Sequence, residues 1–298
     1  MHIHNLQVYK ANALLEASYR MTLAEQRLVL LCISQVRRDE ELDESIVFTV
    51  TAAQYAETMG IAVSTAYDDL RAAAEQLFER RVVVYQDPNS PRASLRKTGK
   101  LVSRWVQTVR YLEHQGTVEL RFSYDLTPYI SQLSKHFTRY ALKDVAHMRS
   151  QYAIRLYELL CQYKEFGERY MDLDWLRNLL SLRGEYRDFR DFRRCVLEPA
   201  IQQINEHTPM MCMYTTRRTN RRITGLHFSF IFDDHAQPHT LAPLSPRLRK
   251  PRPEKVVGDT INGVPVAIIN SRAYPGETYA QAADRIREED RRAGIEHY

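Results

Sequence analysis

A helix, a short glycine turn and a second helix follow one another between residues 51 and 78, and this order restricts the chain to few folds. Thr51 is a typical helix N-cap, and Gly60 suits the left-handed position just after a helix ends. Ser64 can cap the second helix, whose apolar residues have helical spacing: Tyr67, Leu70, Ala74, Leu77 and Phe78. The order predicts a helix-turn-helix.

Extended segments with the composition of β-strands follow: 81–85, 101–112 and 117–124. A helix is predicted before them over 23–38, because Thr22 and Glu25 form a capping-box pair. A sheet appended to a helix-turn-helix is a wing. Residues 1–138 are therefore expected to form a winged-helix domain.

The second half of the chain repeats this order of elements. A helix is predicted over 150–166, a shorter one begins after Asp172, and two strands are joined by a turn: 210–217 and 222–232. Residues 139–234 are therefore expected to form a second winged-helix domain. The predicted fold class is α+β, with two tandem winged-helix domains and a C-terminal tail.

The tail, residues 235–298, begins with prolines interspersed with basic residues, which is typical of a flexible linker. Beyond the linker, 264–269 favours a strand and 279–292 favours an amphipathic, mostly charged helix. The sequence assigns no function to this tail.

The composition is that of a folded protein with room for two domains: 298 residues, 44% hydrophobic and 27% charged. No apolar run approaches the roughly 18 residues that cross a bilayer, and the first residues show no targeting pattern. A cytoplasmic location without a membrane partner is therefore expected. The cysteines lie in apolar segments without metal-ligand spacing, which favours buried free thiols: Cys32, Cys161, Cys195 and Cys212.

A helical segment predicted over 186–205 separates basic from apolar residues. At about 100° per residue, Arg187, Arg190 and Arg194 share one sector, with Arg193 beside them. The opposite sector is apolar: Phe189, Phe192, Val196 and Ala200. Such a helix can lie in the major groove of DNA, although an ordinary solvated face is the alternative. Pro199 predicts a kink or restart near residue 198, which places the contacting part within 186–195.

The turn between the last two predicted strands carries four arginines: Arg217, Arg218, Arg221 and Arg222. Their mutual repulsion favours a polyanionic partner, and a wing tip is well placed to reach a DNA backbone. The alternative is a basic turn that only aids solubility.

The first domain has weaker features of a DNA-binding surface, because the outward side of its second helix carries several carboxylates. Contact with DNA is therefore expected only at the start of that helix and in the basic loop after residue 86. The candidate residues are Ser64, Thr65, Tyr67, Arg71, Arg92, Arg96, Lys97 and Lys100. Otherwise this domain is expected to serve subunit contact.

Two motifs could indicate an enzyme. His2-Ile3-His4 matches the metal-binding pattern of rolling-circle nucleases, but no strand precedes these histidines to orient them. Thr98-Gly99-Lys100 lacks the remaining residues of a phosphate-binding loop. The sequence therefore predicts no catalytic residue, no metal and no cofactor.

Ordered blocks along the chain resemble the winged-helix replication initiators (Rep proteins) of theta-replicating, iteron-containing plasmids. The blocks are NALLEASYR at 12–20 running into TLAEQRL at 22–28, LFERR at 77–81, YAIRLYELL at 152–160 and FRRCVLEPAI at 192–201. The resemblance implies two winged-helix domains that contact double-stranded DNA, the C-terminal one giving the main base readout. It also implies monomers on repeated origin sites, homodimers that repress their own gene from an operator, and contacts with host replication proteins and chaperones.

The sequence thus predicts a non-enzymatic plasmid replication initiator. Three alternatives remain open at this point. One is a winged-helix transcriptional repressor without a replication role, and another is a rolling-circle-type nicking nuclease. The third is a module that binds only proteins, which would not retard duplex DNA at low salt.

Overall fold

The protein is described by a computed structural model that covers residues 6–43, 45–86, 99–182, 184–233, 260–273 and 277–292. Within these ranges every strand pair is antiparallel. None of the described helices combines the length and apolar character that a membrane crossing requires.

The first part of the chain contains, in order, β1 (Gln7–Ala11), α1 (Asn12–Leu15), β2 (Ser18–Tyr19), α2 (Leu23–Ile33), β3 (Phe48–Thr51), α3 (Ala52–Met59), α4 (Val63–Leu77), β4 (Arg81–Val84), β5 (Leu101–Arg104), β6 (Val106–Leu112), β7 (Thr117–Phe122), β8 (Phe137–Ala141) and α5 (Leu142–Ala146). The strands form three small sheets, β2-β4-β5, β3-β7-β6 and β1-β8. The pairing of β1 with β8 was not predicted. The domain boundary predicted between residues 138 and 139 falls inside β8.

The helix-turn-helix consists of α3, Gly60 and α4. Thr51 Oγ1 accepts a hydrogen bond from a backbone N–H in the first turn of α3, and Gly60 has φ 62°, both as expected. The cap predicted at Ser64 is wrong. Helix α4 already begins at Val63, because the extended backbone of Ala62 turns into the helix before the serine is reached.

Helix α2 begins at the predicted capping box, and the glutamate of this box also binds an arginine just after α4. Thr22 Oγ1 accepts from the N–H of Glu25, whose carboxylate in turn accepts from the N–H of Thr22 at 2.8 Å. The same carboxylate accepts from Arg80 Nε at 2.8 Å, just after α4. The helix ends at Ile33 rather than at residue 38, because tighter turns replace the helical hydrogen bonds there.

The segment predicted as one strand over 101–112 is two strands in different sheets. Trp105 separates β5 from β6, is 1% exposed, and lies edge-on to the ring of Tyr19 at 4.9 Å. Burial of this large indole holds the bend between the two strands. The prediction of a single strand was wrong because the contact that breaks it is remote in sequence.

The second winged helix contains α6 (Gln151–Cys161), β9 (Glu168–Asp172), α7 (Leu173–Leu179), α8 (Phe189–Phe192), a π-helical segment (Arg193–Leu197), α9 (Glu198–His207), β10 (Met210–Thr219) and β11 (Arg222–Phe232). Ser150 and Asp172 cap α6 and α7 through their side-chain oxygens, and the cap at Asp172 is the predicted one. Helix α6 is shorter than the predicted 150–166. Strand β9 was not predicted and forms one edge of the sheet β10-β11-β9.

A buried polar cluster links β1 to α6. Lys10 Nζ donates to Glu158 Oε1 at 2.6 Å, and Arg155 and the Tyr140 hydroxyl also contact this carboxylate. Arg155 further contacts the Tyr19 hydroxyl and lies over its ring. Burial alone would raise the pKa of Glu158, but Lys10 and Arg155 outweigh it, so the pKa lies below its usual value.

The C-terminal part of the chain forms a small unit with a separate apolar core. Its elements are β12 (Thr260–Ile261), β13 (Val264–Pro265), α10 (Val266–Arg272) and α11 (Tyr279–Arg292). The helix predicted over 279–292 is confirmed. The strand predicted over 264–269 is wrong beyond Pro265, because the proline occupies the N-cap of α10 and the chain turns into a helix there. The linker predicted to begin this tail lies largely outside the described residues.

Candidate nucleic-acid interface

The helix that carries the arginines begins at Phe189, three residues later than predicted. Tyr186 has φ 52°, which ends any helical path before it, and Asp188 occupies the N-cap. Arg177 Nη2 donates to the carbonyl oxygens of Tyr186 and Arg187 at 3.0 and 2.8 Å. Arg187 therefore lies in a pinned turn just before the helix rather than within it.

The two faces of this helix differ as the spacing predicted. Apolar side chains of one face are at most 2% exposed: Phe192, Val196, Ala200 and Ile204. Phe189 is only half-buried. The arginines on the other side and in the preceding turn are all exposed: Arg187, Arg190, Arg193 and Arg194. The fold thus presents four exposed guanidinium groups from the helix and the turn before it.

The helix widens into the π-helical segment just before Pro199. Proline cannot donate a backbone hydrogen bond, and the N–H of Glu198 reaches back to the carbonyl of Arg193. Regular α-helix resumes at Glu198, which confirms the restart predicted there. Cys195 follows the exposed Arg194 in this segment and is itself exposed, so the expectation of a buried thiol at this position is wrong. The other three cysteines are buried.

Ion pairs on this surface are loose. Arg194 lies 3.3 Å from Asp191, and Arg193 lies 3.3 Å from Glu198, with all four side chains about half exposed or more. Exposed pairs of this kind contribute little to stability and separate readily when a stronger anion approaches. Within the described part of the chain, no ion pair engages Arg190.

The hairpin of β10 and β11 carries the wing arginines, with Asn220 in the left-handed region at φ 57°. The side chains of Arg218, Arg221 and Arg222 are exposed. Arg217 differs, because it is half-buried and its guanidinium lies 5.4 Å from the centre of the Tyr170 ring. A β-bulge between Arg217 and Arg218 breaks the register at this point. The four wing arginines therefore differ in exposure and in their surroundings.

The start of α4 exposes the residues proposed for the first domain: Ser64, Thr65, Tyr67 and Arg71. Tyr67 was expected in the apolar stripe, but it packs over Gly116 at the end of the β6–β7 hairpin. Arg71 lies over the ring of Tyr111 at 5.9 Å. Acidic residues are exposed farther along α4 and just after it: Asp68, Glu75 and Glu79. This surface is less favourable to phosphate than that of the second winged helix.

Several sequence predictions lie outside the described residues. They are Arg92, Arg96 and Lys97 in the basic loop, and His2 and His4 at the N-terminus. Lys100, at the end of the loop, is exposed. Across the part of the chain that the structure covers, no three His, Cys, Asp or Glu side chains come together as metal ligands.

Two residues that shape this surface were missed from the sequence. Arg177 holds the turn before the arginine helix, and Tyr170 supports the wing. Gly225 gives a partial signal, because glycine within a strand often marks a close approach. A Cβ at Gly225 would lie 2.1 Å from the Tyr170 hydroxyl oxygen.

The fold and this surface together define a tandem winged-helix protein. Residues 7–161 match the family model described as initiator replication protein, WH1, and residues 172–230 match the model described as initiator Rep protein, WH2. The first match alone covers more than half of the chain. The chain therefore belongs to this family of DNA-binding initiators and is a replication initiator, and the predicted fold class is confirmed.

Individual relatives agree with the family models. A replication initiation protein of Escherichia coli is 28% identical over 71% of this chain and 66% of its own length. The PI protein of Escherichia coli is 24% identical over 72% of this chain and 79% of its own length. A crystal structure of the Pi initiator protein in complex with iteron DNA superposes with a TM-score of 0.65. It is 25% identical to this protein and covers 78% of this chain and 99% of the other.

Proposed function

We propose that this initiator binds repeated duplex sites at a plasmid origin mainly through its second winged helix. The observation that supports this most strongly is the group of exposed arginines on α8, in the π-helical segment and in the turn before them, followed by a basic wing. A similar protein was crystallised with iteron DNA, which supports the same kind of site for this chain.

The proposed contacts divide by position. Arg190 and Arg194 enter the major groove, where a guanidinium group can bond two acceptors of guanine, while Arg187 and Arg193 reach bases or flanking phosphates. The wing residues Arg218, Arg221 and Arg222 bind the phosphate backbone, joined by Arg217.

The first winged helix adds auxiliary contacts at the start of α4. Ser64 and Thr65 offer hydroxyl and backbone donors at a helix N-terminus, with Tyr67 and Arg71 beside them. The basic loop with Arg92, Arg96 and Lys97 is assigned to the same role. We also propose that residues 1–138 mediate a homodimer in equilibrium with the monomer, and that the dimer represses the gene of this protein.

Footprinting on the DNA that flanks the gene tests this function. Several evenly spaced protected sites are expected for origin repeats, together with one inverted pair for the operator. A plasmid-maintenance assay with and without the gene then separates an initiator from a repressor that has no replication role. A plasmid that is still maintained when the gene is removed would contradict the proposal.

We propose that the protein has no cleavage activity and acts in the cytoplasm with host replication proteins and chaperones. Incubation of supercoiled DNA with the protein and magnesium should leave the DNA unnicked. Nicks that disappear in a His2→Ala, His4→Ala variant would instead indicate a rolling-circle-type nuclease.

A further inference from the structure

The C-terminal unit contacts the second winged helix at the edge strand β9. The hydroxyl oxygen of Tyr279, at the start of α11, accepts a hydrogen bond from the backbone N–H of Tyr170 at 2.8 Å. Helix α10 also lies against β9. The opposite edge of β9 pairs with β11. The backbone N–H of Tyr170 therefore points away from the sheet, and the Tyr279 hydroxyl is its acceptor. This unit lies outside the residues that match the family models, 7–161 and 172–230.

The side chain of Tyr170 continues this connection into the wing. Tyr170 lies opposite His227 in the β9–β11 pair, which places Gly225 two residues away on the same face of the sheet. A Cβ at Gly225 would lie 2.1 Å from the Tyr170 hydroxyl oxygen, so only glycine leaves space for the ring. Gly225 is opposite Arg217, and the Arg217 guanidinium lies 5.4 Å from the ring centre. Tyr279, Tyr170 and Arg217 thus form a continuous series of contacts.

Contact with the ring restricts Arg217. A long arginine side chain on an open strand samples many rotamers, and fixing it beforehand lowers the entropy lost when it binds a phosphate. Guanidinium groups also stack favourably on aromatic faces while their N–H groups stay available to an anion. Burial raises the pKa of the Tyr279 hydroxyl above its ordinary value.

We propose that the C-terminal unit is part of the DNA-binding apparatus, because Tyr279 holds Tyr170 and Tyr170 directs Arg217 toward a DNA phosphate. Tyr279 and Tyr170 are positioning residues, and Arg217 makes the contact. This inference rests on the proposed function.

The direct test is a Tyr279→Phe variant of the full chain, which removes the acceptor hydroxyl and keeps the ring. Binding to a short mixed-sequence duplex is measured at several salt concentrations by fluorescence anisotropy. The expected result is about three- to tenfold weaker binding and a salt slope smaller by up to about one, because one phosphate is no longer neutralised. Tyr124→Phe is the matched control, because Tyr124 is 68% exposed and far from the wing in sequence. It should bind as the original protein does.

A double variant shows whether the effect passes through the arginine. In an Arg217→Ala background, Tyr279→Phe should add no further loss, because the positioned group is already absent. Gly225→Ala should displace the Tyr170 ring and therefore reproduce the smaller salt slope. If Tyr279→Phe lowers the midpoint temperature of unfolding, Gly225→Ala serves as the test instead.

The outcomes separate this inference from the proposed function. Failure of the original protein to bind duplex DNA would overturn the proposed function. Normal affinity and salt slope in both Tyr279→Phe and Gly225→Ala, while Arg217→Ala weakens binding, would overturn only the positioning role. Equal losses from Tyr279→Phe with and without Arg217 would also overturn it.

Discussion

The Arg177 guanidinium donates to the carbonyl oxygen of Arg187 at 2.8 Å and thereby fixes the turn that precedes the arginine helix. A second bond from the same nitrogen reaches the carbonyl of Tyr186, and the Arg177 guanidinium lies 5.5 Å from the ring centre of Phe192. Arg177 thus determines the position at which the series of exposed arginines begins.

Replacing Arg177 with Met should loosen this turn while preserving most of the apolar packing. The lost hydrogen bonds should lower the free energy of unfolding by about 1–3 kcal/mol, because two carbonyl oxygens lose a charged donor. DNA affinity should fall as well, since Arg187 is no longer held in place. Chemical denaturation and anisotropy measure the two effects. Unchanged values for both would show that the turn is fixed by other contacts.

Replacing Arg190 with Ala should lower affinity for the specific site by about 1–3 kcal/mol and relax base preference at one position. The reason is that Arg190 lies on the exposed face without an ion pair among the described residues. Competition binding with a set of single-base variants of the site is the measurement. Arg37→Ala is a suitable control, because Arg37 is 72% exposed and pairs with Glu40 in the segment between α2 and β3. Equal weakening on all duplexes would remove the assignment of base readout to Arg190.

Replacing Arg218 with Ala should weaken binding to all duplexes alike. A wing residue that neutralises a phosphate contributes counterion release but no sequence discrimination, so the salt slope should fall by about one. The measurement is the dependence of the binding constant on salt for specific and scrambled duplexes. A loss confined to the specific duplex would place Arg218 at a base instead.

Replacing Glu158 with Gln should cost about 3–5 kcal/mol of folding free energy, because Lys10 and Arg155 would remain buried without their anion. Glu185→Gln is the control, since its pair with Arg20 is about 40% exposed and should contribute less than about 1 kcal/mol. Urea denaturation distinguishes the two variants. Similar stability in both would mean that water reaches the buried cluster.

The pH dependence of this difference has a defined sign. The pKa of Glu158 is lowered in the folded protein, because Lys10 and Arg155 outweigh the opposing effect of burial. Its contribution is therefore fully present above the unfolded-state pKa and is lost as pH falls through the folded-state pKa. The gap in stability between the original protein and Glu158→Gln should shrink in acid. A gap that widens in acid would contradict this account.

Local signals in the sequence predicted much of the architecture. The capping box at Thr22, the left-handed Gly60 and the cap at Asp172 each depend on neighbours within a few residues, and all three occur as expected. The spacing of the arginines against Phe192 and Val196 likewise depends only on helix geometry.

Features that depend on distant contacts were not predictable in this way. Trp105 ends a strand because it packs against Tyr19, and β9 exists because it pairs with β11. The position of Arg217 depends on Tyr170, a residue in another strand. A periodic pattern carries no information about such partners, so the different setting of Arg217 could not be predicted from the sequence.

The native cysteines allow the most direct test of the proposed DNA-binding surface. Cys195 is exposed beside Arg194, whereas the other cysteines are buried: Cys32, Cys161 and Cys212. The rate at which a thiol-alkylating reagent modifies Cys195 can be followed by mass spectrometry with and without a saturating duplex. If this helix lies against DNA, the duplex should slow alkylation of Cys195 strongly, and Arg190→Ala with Arg194→Ala should abolish the protection. An unchanged rate at Cys195 while the protein is fully bound would show that DNA lies elsewhere, and would contradict the account.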